Sequence, residues 1–163
     1  MELLDVTVAD IHDDMALPLG IPNILTLQNM EEIRDYIFNM DMSMILYKMT
    51  DEESAGELGL LWERADAEFA INQYRQYLYL VRKYETHISP TLAIDAVWHN
   101  HILDTRKYVR DCQVIFGRYL HHFPYFGNRD EEDRRQLDIA FENTKRLFRA
   151  EYGVDVTRIP GVD

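Results

Sequence analysis

The sequence predicts an all-α, single-domain helical bundle, on three observations. Every long segment after residue 28 spaces its apolar residues three and four apart, and turn residues bracket those segments. Nowhere does polarity alternate with the period of two that marks a half-buried strand. A chain of 163 residues with 47% hydrophobic and 28% charged residues is sized and composed for one compact core. No internal repeat is visible, so about five or six helices packed together is the expected architecture.

Residues 1–27 carry Pro18, Gly20 and Pro22 without a sustained period and read as an irregular N-terminal arm. The helical domain spans 28–153. Met30, Ile33, Ile37, Met40, Met44, Ile45 and Met49 recur at helical spacing, with a break near Asn39 to Asp41, which gives a helix pair. Thr50 before Asp51, Glu52 and Glu53 reads as a cap followed by acids that complement the helix dipole, and Gly56 and Gly59 weaken that helix early. From Asp66 to Glu85, a stripe of Phe69, Ala70, Gln73, Tyr74, Tyr77, Leu78, Val81 and Tyr84 makes a long amphipathic helix. Ser89-Pro90 reads as a cap with proline at the first helical position, opening a central helix that runs to Phe116 before Gly117. His121 to Asn128 is a loop by its Pro, Gly and Asn content, yet it is rich in aromatics. Asp130 to Tyr152 forms the last helix, with Leu137, Phe141, Thr144 and Phe148 on one face and Gly153 as its stop. Residues 154–163 read as a C-terminal tail.

Charge and cysteine content narrow the function. Seventeen Lys and Arg against 29 Asp and Glu leave a net charge of −12, which repels phosphate backbones and anionic membranes. Neither nucleic acid nor membrane is an expected partner. No apolar run approaches the ~20 residues of a spanning helix, Met-Glu-Leu-Leu-Asp is no signal peptide, and Cys112 stands alone, so the cytoplasm is the expected compartment. There is no Gly-rich phosphate loop, and no nucleotide cofactor is expected.

The chemistry concentrates on the central helix and the loop behind it. Four of the six histidines fall between residues 99 and 122: His99, His101, His121 and His122. Histidine is both the commonest metal ligand and the proton carrier near neutral pH. Successive helical residues turn by about 100°, so His99 and His101 serve different faces of an unbroken helix. Asp95 and His99, at i and i+4, stack on one face and can converge on one ion. His121 or His122 would supply a third ligand if the loop returns over the helix, giving a two-histidine, one-carboxylate set that suits iron(II) and also zinc. His101 falls on the apolar arc of Ile94, Val97, Trp98, Tyr108, Cys112 and Ile115, with Asp104 three residues on as its acid–base partner. Trp98, Tyr108, Tyr125 and Phe126 would wall the pocket. The plainer alternative is that Asp95 and His99 form a hydrogen-bonded pair, His101 is a buried histidine bonded to Asp104 or Tyr108, and the loop histidines pack on aromatics. Cys112, on the apolar arc, reads as a buried inert thiol.

The residues Tyr74-Arg75, Tyr77-Leu78, Asp95, Val97-Trp98-His99, His101-Ile102-Leu103, Tyr108 and Asp111-Cys112 together resemble the core of the glycine-rich-domain-containing-protein-like family. That core is a tyrosine-arginine helix, then Asp-x-Val-Trp-His-x-His, then Tyr-x-x-Asp-Cys. The resemblance covers residues 62 to 127; with only seven glycines and no glycine-rich tract, the chain is similar to a short bacterial-type member. It implies a helical domain and marks Asp95, Trp98, His99, His101, Tyr108, Asp111 and Cys112, without implying a reaction. Two functions fit. One is a cytoplasmic helical protein with an iron or zinc site open to catalysis. The other is a non-catalytic protein-interaction module whose His, Asp and Tyr cluster is a structural polar network.

Overall fold

A computed structural model describes residues 25–55 and 61–158, and among them there are helices and no strand. In chain order these are α1 (Met30–Asn39), α2 (Ser43–Thr50), α3 (Glu52–Ala55), α4 (Arg64–Tyr84), α5 (Leu92–Leu103), α6 (Thr105–Phe116) and α7 (Glu131–Tyr152). Most of the N-terminal arm, and Gly56 and Gly59, lie outside the described residues. No helix among the described residues is long and apolar enough to cross a membrane.

The long helix α4 is the hub, touching α1, α2, α5 and α7. Its inward stripe buries Ala67, Ala70, Tyr74, Tyr77, Leu78 and Leu80. The break between α1 and α2 lies where the spacing predicts it, and α4 helps to fix it. Arg75 donates to Ile37 O at 2.6 Å and Met40 O at 2.7 Å, satisfying carbonyls at the end of α1 that have no helical partner. Thr50 does not open a helix. It is the last residue of α2, and its hydroxyl donates back to Leu46 O at 2.8 Å, because Ser and Thr hydroxyls bond the preceding turn as readily as a following N–H.

Ser89 is not the cap of α5 either. Thr91 is, accepting from Ile94 N at 3.2 Å, while Ser89 is buried and held by α7. The Thr144 hydroxyl accepts from Ser89 N at 3.0 Å and donates to Ser89 O at 2.7 Å, and Tyr77 OH donates to Ile88 O at 3.0 Å. These bonds fix the start of α5 against its neighbours.

The central helix is two helices. Asp104, with φ −81° and ψ 71°, lies between α5 and α6 and turns the chain without proline or glycine. Trp98 Nε1 donates to Tyr108 OH at 2.9 Å, ten residues away. On a straight helix ten residues are about 15 Å apart, so this bond exists only because α6 folds back on α5.

Gly117 ends α6 at φ 68°, and the arm's last residues dock there: Leu27 N donates to Val114 O at 2.9 Å and Thr26 Oγ1 to Gln113 O at 2.9 Å. α7 is capped by Asp130 and stopped by Gly153, as its sequence predicts. Asp133 does more than complement the dipole: it accepts from Gly127 N at 2.7 Å and from the Arg129 guanidinium at 2.5 Å, closing the loop onto the helix. The Arg129 hydrogen bond leads the interactions that hold its carboxyl down at about 2. Gly127, at φ 87°, allows the closure; a Cβ there would run into the Leu137 side chain. The tail is not free as far as it is described. Val156 is buried, and its carbonyl accepts from Gln73 Nε2 at 3.3 Å.

Trp98 is 6% exposed, as its place on the inward arc predicts, and packs on Tyr77 with ring centroids 5.7 Å apart. Trp98→Ala should cost about 3 to 5 kcal/mol by cavity formation. The check is the urea midpoint of parent and variant; a midpoint unchanged within error would mean that the ring carries no packing load.

Candidate metal centre

Two residues on one face of α5 and one on the loop after α6 meet at a single point. Asp95 Oδ1 lies 2.6 Å from His122 Nε2, Asp95 Oδ2 lies 3.3 Å from His99 Nε2, and the two Nε2 atoms are 3.1 Å apart. Ligand bonds of about 2.0 to 2.2 Å place neighbouring donor atoms roughly 3 Å apart around a first-row ion, and these separations bracket that distance. A neutral imidazole carries a proton on only one of its nitrogens, so two facing Nε2 atoms and a carboxylate present more lone pairs than protons. A cation is the natural complement to such a set. Asp95, His99 and His122 are thus a group that could hold a metal ion.

Exposure grades across the set: the His99 side chain is 49% exposed, Asp95 28% and His122 14%. His122 is fixed from below by Trp98, whose ring meets it edge-on at 4.5 Å. Further support comes from Tyr108, whose hydroxyl receives the Trp98 N–H and donates to Leu120 O, tying down the backbone two residues before His122.

Loop geometry decides between the two adjacent histidines. Past the anchored Leu120, His122 meets Asp95 and His99 on α5, while His121 is exposed and packs on Tyr119 at 4.8 Å. His121 is not among the three side chains that converge. Tyr125 is 63% exposed, packs on Phe123 and lines neither of the two clefts described below. Phe126 does line a cavity, stacked against His87 at 4.8 Å. Tyr108 is buried behind the site rather than lining it.

His101 belongs to a second, separate cluster, and Asp104 is not its partner. Asp104 is exposed at the break. His101 Nδ1 lies 2.7 Å from Tyr74 OH, and its Nε2 lies 2.7 Å from Asp111 Oδ2. Asp111 also accepts from Tyr36 OH at 2.7 Å and pairs with Lys107 at 3.0 Å. Tyr74, His101 and Asp111 are each at most 3% exposed, so solvent and substrate do not reach them. Burial raises the Asp111 carboxyl, but the hydrogen bonds from His101 and Tyr36 and the Lys107 charge outweigh it and leave its pKa below the usual carboxylate value. Burial lifts the Cys112 thiol to about 11, which fits an inert side chain. The i to i+10 pairing of His101 with Asp111 carried no periodic signal in the sequence, because it depends on the turn at Asp104.

Asp95 stands on a ridge between two clefts among the described residues. One, of about 780 Å³, has His99 on its wall, and the other, of about 870 Å³, has His122.

The profile of the UCP032817-like family matches residues 29–145, so the chain belongs to that family. No curated protein and no solved structure matches the chain.

The two clusters differ in what removal costs. His101→Ala strips Tyr74 OH and Asp111 of a buried partner and should cost about 3 to 5 kcal/mol. His99→Ala, at a half-exposed position, should cost less than about 1 kcal/mol. Because the folded pKa of Asp111 is depressed, its contribution is present above the ordinary carboxylate pKa and is lost as pH falls through the lowered value. The stability gap between parent and Asp111→Asn should therefore be full near neutrality and narrow below about pH 4. Urea titrations at several pH values check both statements; equal losses for His99→Ala and His101→Ala would contradict the division into two clusters.

Proposed function

We propose that this protein binds a divalent transition metal, iron(II) or zinc, through Asp95, His99 and His122, and that the metal is a working centre open to small molecules. The observation that carries the reading is the convergence of two imidazole Nε2 atoms, 3.1 Å apart, on one carboxylate, whose Oδ1 lies 2.6 Å from His122 and whose Oδ2 lies 3.3 Å from His99, at a half-open surface. Two histidines and one carboxylate leave coordination positions free, which is the pattern of iron(II) oxygenase sites and of zinc sites that carry a water. A bound ion of this type acidifies a coordinated water and polarises a bound oxygen. The chain's own part is positional. α5 presents Asp95 and His99 at i and i+4, Trp98 and Tyr108 hold His122 against them, and the exposed side of His99 leaves an approach from solvent.

His101 has a different role. Both side chains that bond its ring, Tyr74 and Asp111, are buried, which supports the packing reading for that half of the histidine cluster. The interaction-module alternative draws its support there and from exposed Leu92 and Leu103. Kinship with the glycine-rich-domain-containing-protein-like family rests on the Asp-x-Val-Trp-His-x-His residues. The charge of −12 and the single cysteine support work in the cytoplasm, away from nucleic acid and anionic membranes.

Protein purified without an affinity tag should carry iron or zinc near one equivalent by mass spectrometry, or take up zinc to that level on titration. Asp95→Ala, His99→Ala and His122→Ala should each weaken uptake at least tenfold with the helical circular dichroism kept, whereas His121→Ala should leave it unchanged. No uptake by the parent, or equal loss in His121→Ala, would overturn the assignment.

A further inference from the structure

α5 is unusual among the helices in having apolar residues on every side, Leu92, Ala93, Ile94, Ala96, Val97, Trp98, Ile102 and Leu103, interrupted by the Asp95 and His99 pair and by Asn100. A helix of that kind is normally covered all round. Here the inward residues Ile94, Val97 and Trp98 are buried, while Leu92 is 91% and Leu103 54% exposed. The outward side, with Ala93, Ala96 and Asn100, floors the cleft of about 780 Å³ that Trp62, Phe69 and Phe141 help to wall. That volume falls within the roughly 300 to 1,000 Å³ of small-molecule sites, and it is concave, whereas a protein partner needs a broader, flatter surface.

A second observation points to an occupant. Asn100 Oδ1 is the one buried side-chain polar atom without a hydrogen-bond partner among the described residues, while its Nδ2 donates to Ala96 O at 2.9 Å. An unpaired buried acceptor is costly, and the terminal amide torsion is soft enough to turn it toward a donor in the cleft. Asp95 and His99 lie on the same wall, so a molecule held there has one end beside the candidate metal ligands.

We propose that this cleft is the substrate pocket of the site, and that it takes a small, ring-sized apolar molecule carrying a hydrogen-bond donor. Aromatic walls grip its body, Asn100 reads its donor, and the Asp95 and His99 edge is where it reacts. The link to reaction rests on the metal reading above. The pocket itself stands on the cleft and on Asn100.

The test uses 2-naphthol, followed by its own fluorescence, and 2-methoxynaphthalene, which has the same body and no donor, on metal-free and zinc-loaded protein. Naphthol should bind both forms, shift the amide resonances of Ala93, Ala96 and Asn100 in the parent, and bind Ala96→Trp at least tenfold more weakly, while zinc uptake by that variant stays at the parent level. The parent should prefer naphthol over its methyl ether by about five- to tenfold, the worth of one hydrogen bond, and Asn100→Leu should erase the preference. Failure of naphthol to bind the parent, or resonance shifts confined to other surfaces, overturns the pocket whatever the zinc titration gives. Equal binding of the two probes by the parent overturns the donor requirement. Naphthol binding with no zinc uptake leaves the pocket standing and removes the metal reading alone.

Discussion

The turn at Asp104 is the constraint on which the rest of the structure depends. It folds α6 back along α5, and two bonds spanning ten residues each become possible: Trp98 to Tyr108 and His101 to Asp111. The first leads outward. Tyr108, held by Trp98, fixes Leu120, and that anchor sets which loop histidine faces Asp95. The second leads inward. His101 and Asp111 join α5 to α6, and through Tyr74 and Tyr36 they also reach α4 and α1. A single non-helical residue thus supplies both the surface site and the buried network that supports it.

The two networks illustrate how burial assigns roles to chemically identical side chains. His99 and His101 are two residues apart, yet one is half exposed with its Nε2 facing a second imidazole and a carboxylate, and the other is sealed among tyrosines with both nitrogens bonded. A sealed histidine with satisfied partners specifies packing, because leaving any member unpaired in a low-dielectric interior is costly. An exposed pair of Nε2 atoms has the opposite character: it carries little stability and is accessible to an ion. Rigidity around it comes from outside the set, from Trp98 below His122 and from the Tyr77 and Thr144 bonds that hold the entry to α5. Such support keeps donor atoms near their required separations before a ligand arrives.

Much of this was legible in the sequence. The three-and-four spacing predicts α1, α2, α4 and α7, with the break at Asn39 to Asp41, and the i, i+4 relation of Asp95 and His99 identifies two of the three converging ligands. What the spacing could not carry was anything set by tertiary contact. Asp104 breaks the central helix without proline or glycine, so an unbroken helix was the natural reading, and with it Asp104 became a false partner for His101. The choice of His122 over His121 follows from where Tyr108 pins Leu120. Thr50 and Ser89 look like caps by type, but Thr50 bonds backward to Leu46 and Ser89 is claimed by Thr144. Val156 lies in an apparently idle tail and is buried because Gln73 and the core reach it.

The most direct measurement is anomalous diffraction at the zinc edge from crystals of the protein grown with zinc. The account predicts one strong peak within about 2.2 Å of both His99 Nε2 and His122 Nε2 and of an Asp95 oxygen. A peak on His121 or His87 instead, or none at the α5 ridge with zinc present, would contradict it.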